Sequence, residues 1–410
     1  MWRCSSSIVL LSLSLILLPL VANDVVASST IELPKVDPAK FKPASIPLAP
    51  LTLKFDSENR LALAERRYSG QANGPESLAW DRTGRGPYAS VSDGRIVRRS
   101  QDNMRWETFA WASPKWSKER CQSNGTNTTM EAVCGRPLGL RFHPTTGDLY
   151  FADAYFGLHR VGPGGGRAEK LADTVEGKRM LMTNDLDIDA DGKSGAVYFT
   201  DGSTRWQRKD FFLATLEGQP DGRFMRYDIA TGAVKVLVKG VAFANGVALS
   251  RDRTFVVFCE TSYMRCHRHF IRGPKMGKTE IFVNLPGYPD NLSLNPRGRF
   301  WIAINSRRTP MSEVLARSPY ARYRLLNDPV GLQAAYVAAV GLSHGIIVEV
   351  DNNGVITDVL EDKLGRSVAA VSEVVERKGR LWIGSVMVDD VAVLKYSPPA
   401  NNASSKPTNG

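Results

Sequence analysis

The sequence is short of cysteine and histidine, the two residue types that most often bind zinc. It has five of each in 410 residues, and no pair of cysteines has the spacing of a zinc site. After the N-terminus there is no apolar run long enough to cross a bilayer, and long stretches of helical periodicity are almost absent. These absences argue against a zinc-binding domain, a multispanning membrane protein and a helical solenoid.

Basic residues are abundant but not clustered. The formal net charge is +11, yet the basic side chains are scattered, for example at Arg66, Arg98, Arg208, Lys275 and Arg322. Nucleic-acid binding needs a basic patch or stripe. The pattern therefore predicts a solvated basic surface and no nucleic-acid partner.

The N-terminal 27 residues are typical of a secretory signal peptide. Arg3 precedes an apolar run from Ile8 to Val21, and small residues follow at Ala22 and Ala27. An uncleaved membrane anchor is the alternative, but the run is shorter than about 20 residues. We expect a protein of the secretory pathway, in the vacuole, the endoplasmic reticulum or outside the cell.

The remaining four cysteines fit that route. Cys121 and Cys134 bracket a polar loop that carries glycosylation acceptors at Asn124 and Asn127, and a third acceptor, Asn402, lies in the tail. In an oxidising compartment this spacing predicts a disulfide between the two cysteines.

Cys259 and Cys266 could face each other across a hairpin. They could form a second disulfide, or they could be two buried free thiols. Both interpretations remain open from the sequence.

One pattern recurs six times: two apolar residues separated by one position, then a turn, then a strand rich in aromatic and β-branched residues. The copies are GPESLAWDRTGRGPYASV, RPLGLRFHPTTGDLYFAD, TNDLDIDADGKSGAVYFTD, ANGVALSRDRTFVVFCE, YPDNLSLNPRGRFWIA and VSEVVERKGRLWIGSV. They lie roughly 60 residues apart, which is room for about four short strands each. The repeat predicts an all-β, six-bladed propeller with four-stranded blades.

The predicted organisation has four parts. A signal peptide spans 1–27, a Pro-rich extended lead-in 28–50, the propeller 51–397 and a disordered tail 398–410. Within the propeller, the segment 310–342 carries apolar residues at helical spacing and predicts an inserted helical hairpin over one mouth of the tunnel. It could be a lid or a peripheral membrane contact, or it could pack on the outer rim.

The position two residues before each first apolar residue defines a column. Its members are Glu76, Leu138, Asn184, Asn245, Asp290 and Val371. In a propeller these positions meet at one end of the axis, and the oxygen-bearing members, together with the adjacent Asn291, suit Ca²⁺. The alternative is that Asn and Asp merely start strands, because their side chains bond nearby backbone.

The motifs YSGQANGPESLAWD, CGRPLGLRF, GDLYFADAYFGLHRVGPGGG, TNDLDID and GRFMRYD resemble the plant strictosidine synthase-like proteins and the animal adipocyte plasma membrane-associated protein. The resemblance runs from about residue 50 to 397. It implies a six-bladed propeller in the larger group of paraoxonases, gluconolactonases and regucalcin. The metal-dependent members of that group hold a tunnel Ca²⁺ at positions that match Glu76, Asn184, Asn245, Asp290 and Asn291.

The resemblance departs at the catalytic position of the true synthases. Their catalytic Glu matches Ser372. Of two histidines that line their pocket, one matches His344 and the other matches Ala370. Glu373 is adjacent, but a one-residue offset in a strand is expected to turn its side chain to the opposite face. A Pictet-Spengler condensation is therefore disfavoured, because a serine hydroxyl cannot shuttle protons as a carboxyl does.

The paraoxonase histidine pair is also lost, since its positions match Leu138 and Tyr155. What remains is metal-ion catalysis, which predicts a Ca²⁺-dependent hydrolase of small-molecule esters or lactones with Asp185 and His344 as candidate bases. Asp185 could instead be a turn residue and His344 a core histidine, and the protein could be a non-catalytic ligand-binding propeller. We expect a monomer or a small homo-oligomer.

Overall fold

The computed structural model describes residues 37–50, 55–100, 105–122, 128–190, 195–340 and 344–398. The predicted signal peptide, residues 399–410 of the tail and the acceptors Asn124, Asn127 and Asn402 lie outside these ranges. Within them the chain is mostly β. None of the helices in these ranges is long and apolar enough to cross a membrane.

The first half of the described chain is built from short strands. They are β1 (Glu65–Arg67), β2 (Leu78–Ala79), β3 (Tyr88–Ser90), β4 (Arg95–Arg99), β5 (Trp106–Trp111), β6 (Pro137–Phe142), β7 (Leu149–Asp153), β8 (Gly157–Val161), β9 (Gly166–Arg167), β10 (Glu169–Ala172), β11 (Thr174–Val175), β12 (Lys178–Arg179), β13 (Thr183–Asp189) and β14 (Ala196–Asp201).

Longer strands make up the second half. They are β15 (Gly222–Asp228), β16 (Val234–Val241), β17 (Ala244–Leu249), β18 (Phe255–Glu260), β19 (Arg265–Phe270), β20 (Thr279–Asn284), β21 (Gly287–Leu294), β22 (Phe300–Arg307), β23 (Gly345–Val350), β24 (Ile356–Asp362), β25 (Val371–Arg377), β26 (Arg380–Ser385) and β27 (Val391–Lys395).

In the described residues these strands form several four-stranded antiparallel sheets, an arrangement consistent with a propeller. The sheet orders are β2-β3-β4-β5 with β9 added in parallel, β6-β7-β8-β10, β13-β14-β15-β16, β17-β18-β19-β20, β21-β22-β23-β24 and β25-β26-β27-β1, beside a two-stranded β11-β12 ribbon. The first strands touch in the order β2, β6, β13, β17, β21, β25, and β25 touches β2 again.

Strand β18 shows why the sheets stack. Along FVVFCE every residue is buried: Phe255 and Val257 pack in a cluster with Phe300 of the following sheet, whereas Val256 and Phe258 pack in a cluster with Phe224 of the preceding sheet. Successive side chains of a strand point to opposite faces. A strand that is apolar on both faces must lie in a sheet covered on both sides.

The helices of the described residues are short, and three of them begin at a side-chain cap. They are α1 (Lys118–Cys121), α2 (Glu131–Cys134), α3 (Phe211–Glu217), α4 (Pro310–Arg317), α5 (Pro319–Leu326) and α6 (Pro329–Ala339). Thr309 caps α4 in a capping box with Ser312, and Ser318 caps α5, each followed by proline at the first turn. Three helices thus occupy the segment in which the sequence predicts a hairpin of two.

The described part of the chain contains two disulfides. Cys121 is bonded to Cys134, as predicted. Cys259 and Cys266 are opposite each other in β18 and β19 and are also bonded, so the disulfide interpretation of this pair is the correct one.

Candidate functional site

The first strands of five sheets share an irregularity at the same point. The pairing register with the second strand shifts between Pro137 and Leu140, Thr183 and Leu186, Ala244 and Val247, Pro289 and Leu292, and Val371 and Glu373. A bulge of this kind re-aims side chains. The column found in the sequence coincides with these bulges, which is why neighbours such as Asp290 and Asn291 can serve one site.

A cavity of about 200 Å³ opens beside this column. Glu76, Leu138, Asn184, Asn245 and Asp290 all contribute to its lining. Asn291 is fully buried next to them, and its Nδ2 donates a hydrogen bond to Oε1 of Glu76 at 2.6 Å.

Three amide oxygens around the cavity lack hydrogen bonds. Within the described residues, Oδ1 of Asn184, Asn245 and Asn291 has no partner, although all three residues are buried. Leaving a buried acceptor unpaired costs about 1–3 kcal/mol. Three such oxygens beside two carboxylates fit a hard cation such as Ca²⁺, which takes carboxylate and amide oxygens.

Amides make up most of this donor set. Among the described residues no group of three or more His, Cys, Asp or Glu side chains has the arrangement of a metal site. We call Glu76, Asn184, Asn245, Asp290 and Asn291 the candidate ring. It has only two carboxylates, so its fit to a cation depends on the asparagine oxygens.

The two carboxylates are electrostatically strained without a cation. Burial raises the pKa of Glu76 well above its usual range, and the nearby Asp290 carboxylate adds to the effect. Burial also raises the pKa of Asp290, to about 7. A divalent cation between them would favour the charged forms of both.

Asp185 and Glu373 lie beside the ring but are absent from the cavity lining. Oδ2 of Asp185 accepts the N–H of Val247 at 2.7 Å, and burial raises its pKa to about 6. Oε2 of Glu373 accepts from the Ser77 hydroxyl at 2.8 Å and lies 3.7 Å from Nη1 of Arg141.

The expectation that Glu373 turns away from its neighbour Ser372 is wrong. Ser372 donates to the carbonyl oxygen of Glu76 at 2.7 Å, while Glu373 contacts the adjacent Ser77. Both side chains reach the same neighbouring segment because the register shift between Val371 and Glu373 breaks the alternation of the strand.

His344 is held outside the cavity. Its Nε2 lies 3.3 Å from Oε1 of Glu361, and the same carboxylate oxygen accepts from Arg307, which does line the cavity. The catalytic roles of His344 and Asp185 stay predictions.

Most of the walls come from segments outside the repeated strands, including the segment 310–342 in which the sequence predicts helices. Phe211 and Phe212 of α3, Phe243 and Tyr288 supply aromatic surface, and Ile46 of the lead-in closes one side. Helices α4 and α6 add Met311, Ser312, Leu315, Ala316, Ala335 and Ala339. Apart from Tyr288, which lies in β21, no repeat marks these positions, because they lie in connections and not in the recurring strands.

Arg208 is a further lining residue that sequence reasoning missed. Its Nη1 donates to Oε1 of Glu131 at 2.7 Å. The fully buried Arg136 lies in the same region and interacts electrostatically with Arg208 and Glu76. The net charge counts buried and exposed arginines alike, so the composition does not reveal which arginines lie beside a cavity.

Solved structures of similar fold include a gluconolactonase from Xanthomonas campestris, 16% identical, with a TM-score of 0.53 over 83% of this chain and 91% of that chain. A luciferin-regenerating enzyme is 12% identical, with a TM-score of 0.54 over 82% of this chain and 97% of that chain. A calcium-binding protein, regucalcin from Agrobacterium tumefaciens, is 13% identical, with a TM-score of 0.51 over 81% of this chain and 95% of that chain. At these identities the likeness shows the fold alone.

Sequence relatives are much nearer. The family model "Strictosidine synthase" matches residues 184–274, and "Strictosidine synthase-like, N-terminal" matches 54–99. Protein STRICTOSIDINE SYNTHASE-LIKE 13 of Arabidopsis thaliana is 40% identical over 87% of this chain and 88% of its own length. The adipocyte plasma membrane-associated protein of Gallus gallus is 34% identical over 85% and 81%. The chain belongs to the strictosidine synthase-like family.

Proposed function

We propose that this protein is a Ca²⁺-dependent hydrolase of small esters or lactones, built on a six-bladed propeller. The observation that carries the proposal is a set of three buried amide oxygens without a hydrogen-bond partner in the described residues, together with the carboxylates of Glu76 and Asp290, beside an apolar cavity. Glu76, Asn184, Asn245, Asp290 and Asn291 would hold the ion. When bound, Ca²⁺ would supply a Lewis acid for the substrate carbonyl.

The other residues of the chain bind and orient the substrate. Phe211, Phe212 and Phe243 hold an apolar substrate body and exclude water, which strengthens electrostatic interactions in the cavity. Asp185 is the first candidate proton acceptor, because its Oδ1 has no hydrogen-bond partner in the described residues and it follows Asn184 directly. His344 is the second candidate.

Condensation chemistry of the synthase type is disfavoured. The position of the synthase carboxyl is Ser372, whose hydroxyl is buried and occupied by the carbonyl oxygen of Glu76. The shared fold of a gluconolactonase and a calcium-binding regucalcin makes a metal-dependent hydrolase compatible with this architecture. A non-catalytic ligand-binding protein is the alternative that the test below separates.

The proposed setting is the secretory pathway, because two disulfides favour an oxidising compartment. A monomer or small homo-oligomer acts on a small molecule and binds no nucleic acid. Exposed Val314, Tyr320 and Val330, near Arg317 and Arg324, suit peripheral contact with an anionic membrane. Helices α4 and α6, which line the cavity on their other side, would act as its lid.

The test is hydrolysis of phenyl acetate and a lactone panel, with calcium content measured by elemental analysis. We expect one bound calcium, activity that a chelator removes, and loss of both in Asp290→Ala, which deletes a ligand and one of two compensating charges. Glu169→Ala removes an exposed carboxylate paired with Arg160 and should change neither. Calcium without hydrolysis of any substrate would favour the ligand-binding alternative. Absence of calcium would contradict the metal assignment.

A further inference from the structure

Two arginine side chains lie close to the candidate ring. Arg208 lines the cavity. Arg136 is fully buried, and the charges of Arg208 and Glu76 both act on it. Guanidinium groups are rarely buried unless paired. Their place beside the cavity calls for an explanation in terms of the ligand.

Arg208 is braced from behind. Glu131 of α2 accepts from Nη1 of Arg208 with one oxygen and from the Tyr155 hydroxyl with the other, at 2.7 Å and 2.9 Å. The same hydroxyl accepts the N–H of Lys209 at 3.1 Å, and α2 ends at the disulfide-bonded Cys134. The guanidinium is thus held in one orientation, with one of its five N–H donors used in this ion pair.

Arg136 has donors to spare. Its Nη2 donates to the carbonyl oxygen of Gly74 at 3.0 Å, while Nε and Nη1 have no hydrogen-bond partner within the described ranges. An unsatisfied buried charge is costly. The charge of Arg136 acts on Glu76, which lines the cavity, and so adds positive potential on that side of the site.

The balance of charge around the cavity favours an anion once the ring holds a cation. Glu76 and Asp290 would be neutralised by a divalent ion, and Glu131 pairs with Arg208, which leaves the charge of Arg136 without an ion pair in the described residues. The charges of the two arginines act on each other and only Arg208 lines the cavity, so a ligand anion meets the excess charge at Arg208. Guanidinium groups bind carboxylates with paired, charge-assisted hydrogen bonds.

We propose that Arg208 binds a carboxylate of the ligand, so that the substrates are small esters or lactones that also carry a carboxylate. The inference rests on the proposed function for the reaction, but the anion subsite belongs to this chain's own residues. A cavity of about 200 Å³ with Phe211, Phe212 and Phe243 in its walls accommodates one ring with small substituents; for comparison, an apolar cavity of about 150 Å³ holds benzene.

Binding is tested first, by calorimetry with phenylacetate and with its neutral isostere phenylacetamide, on calcium-loaded and chelator-treated protein. We expect the calcium-loaded wild type to bind phenylacetate at least tenfold more tightly than phenylacetamide. Arg208→Gln should remove this preference, and Arg208→Lys should keep part of it. Arg205→Gln is the matched control, because Arg205 pairs with Glu217 and is absent from the cavity lining.

Arg208→Gln leaves the buried carboxylate of Glu131 without its ion pair, which destabilises the fold. A second variant therefore separates misfolding from loss of binding. The double change Arg208→Gln with Glu131→Gln removes both charges and should also lose the preference. Glu131→Gln alone frees the guanidinium and should tighten carboxylate binding. Equal binding of the two probes by the wild type, or a preference that survives in both Arg208 variants lacking charge, would overturn the proposal.

Hydrolysis of phenyl acetate and 4-carboxyphenyl acetate separates this inference from the proposed function. A higher kcat/KM for the carboxylated ester than for phenyl acetate, with the ratio of the two values falling to about one in Arg208→Gln, supports both. Hydrolysis of both esters without that preference overturns the subsite and leaves the hydrolase. Carboxylate binding without hydrolysis of either ester supports the subsite and counts against the hydrolase.

Discussion

A buried histidine, His159, ties the stability of the fold to pH. Its ring stacks on Phe151 with centroids 5.3 Å apart, and Nδ1 lies 3.1 Å from the carbonyl oxygen of Gly157. Burial lowers the pKa of His159 to about 4, although the bond to Gly157 opposes the effect. The folded state thus requires the neutral ring at a pH where the unfolded chain is already protonated.

The stability that neutral His159 contributes is therefore complete above pH 6.5 and is lost as pH falls toward 4. The difference between the two pKa values corresponds to about 3 kcal/mol. We expect urea unfolding free energies to fall across this window in the wild type and to fall less in His159→Phe, which keeps the stack. Parallel curves for the two proteins would contradict this assignment of the acid sensitivity.

Single residues differ in how far the sequence predicts them. The placement of Asp290 and Asn291 beside the cavity follows from their column, which repeats in register along the chain, while their role as ligands stays a prediction. The direction of Glu373 was not, since it depends on a bulge that alternation alone does not reveal. Arg208 was not predictable either, because its partner Glu131 is distant in sequence and only the fold brings the two together.

Among the elements, α5 joins three parts of the structure through one buried side chain. Nη1 of Arg322 donates to the carbonyl oxygens of Leu216 and Glu217 at the C-terminus of α3, and Nη2 donates to Ala44 of the lead-in. A cation at a helix C-terminus satisfies carbonyl groups that have no partner within the helix.

Replacing that side chain should be costly. Arg322→Leu leaves buried carbonyl oxygens unpaired, so we expect a loss of about 3 kcal/mol in the free energy of unfolding, measured by denaturant titration. Arg324→Leu, an exposed change two residues along the same helix, should alter stability by about 0.5 kcal/mol or less. Similar losses in the two variants would mean that the cap contributes little.

The sequence predicts helices here but not their number. Helical spacing of apolar residues is visible from Met311 onward, yet the prolines at 319 and 329 start new helices and so divide the segment into three. The pairing of Cys259 with Cys266 was likewise open, because only the register of β18 and β19 places them opposite each other.

At the scale of the whole molecule, the candidate ligands come from four different sheets. Glu76 precedes β2, Asn184 lies in β13, Asn245 in β17, and Asp290 with Asn291 in β21. An ion held by this set would connect the inner strands across the axis. Its binding free energy would therefore stabilise the ring of sheets as one unit.

We expect thermal unfolding to depend on calcium as a consequence. An ion present at 100 times its dissociation constant adds about 2.7 kcal/mol to the free energy of unfolding. A chelator should lower the midpoint of the wild type and leave Asp290→Ala unchanged, whereas Ser372→Ala, which keeps all five oxygen ligands, should respond like the wild type. A wild-type midpoint that does not move would show that the asparagines only start strands.

The repeat made the sheets predictable, but not the way in which they join. The last sheet contains β25, β26 and β27 and takes β1 from the other end of the chain, with Glu65 paired with Val393. These residues lie roughly 330 positions apart, so the entropy lost on bringing them together is large compared with that of a hairpin. During synthesis β1 cannot pair with β27 until the more than 300 residues between them have been made, so this sheet is completed only after the intervening strands exist.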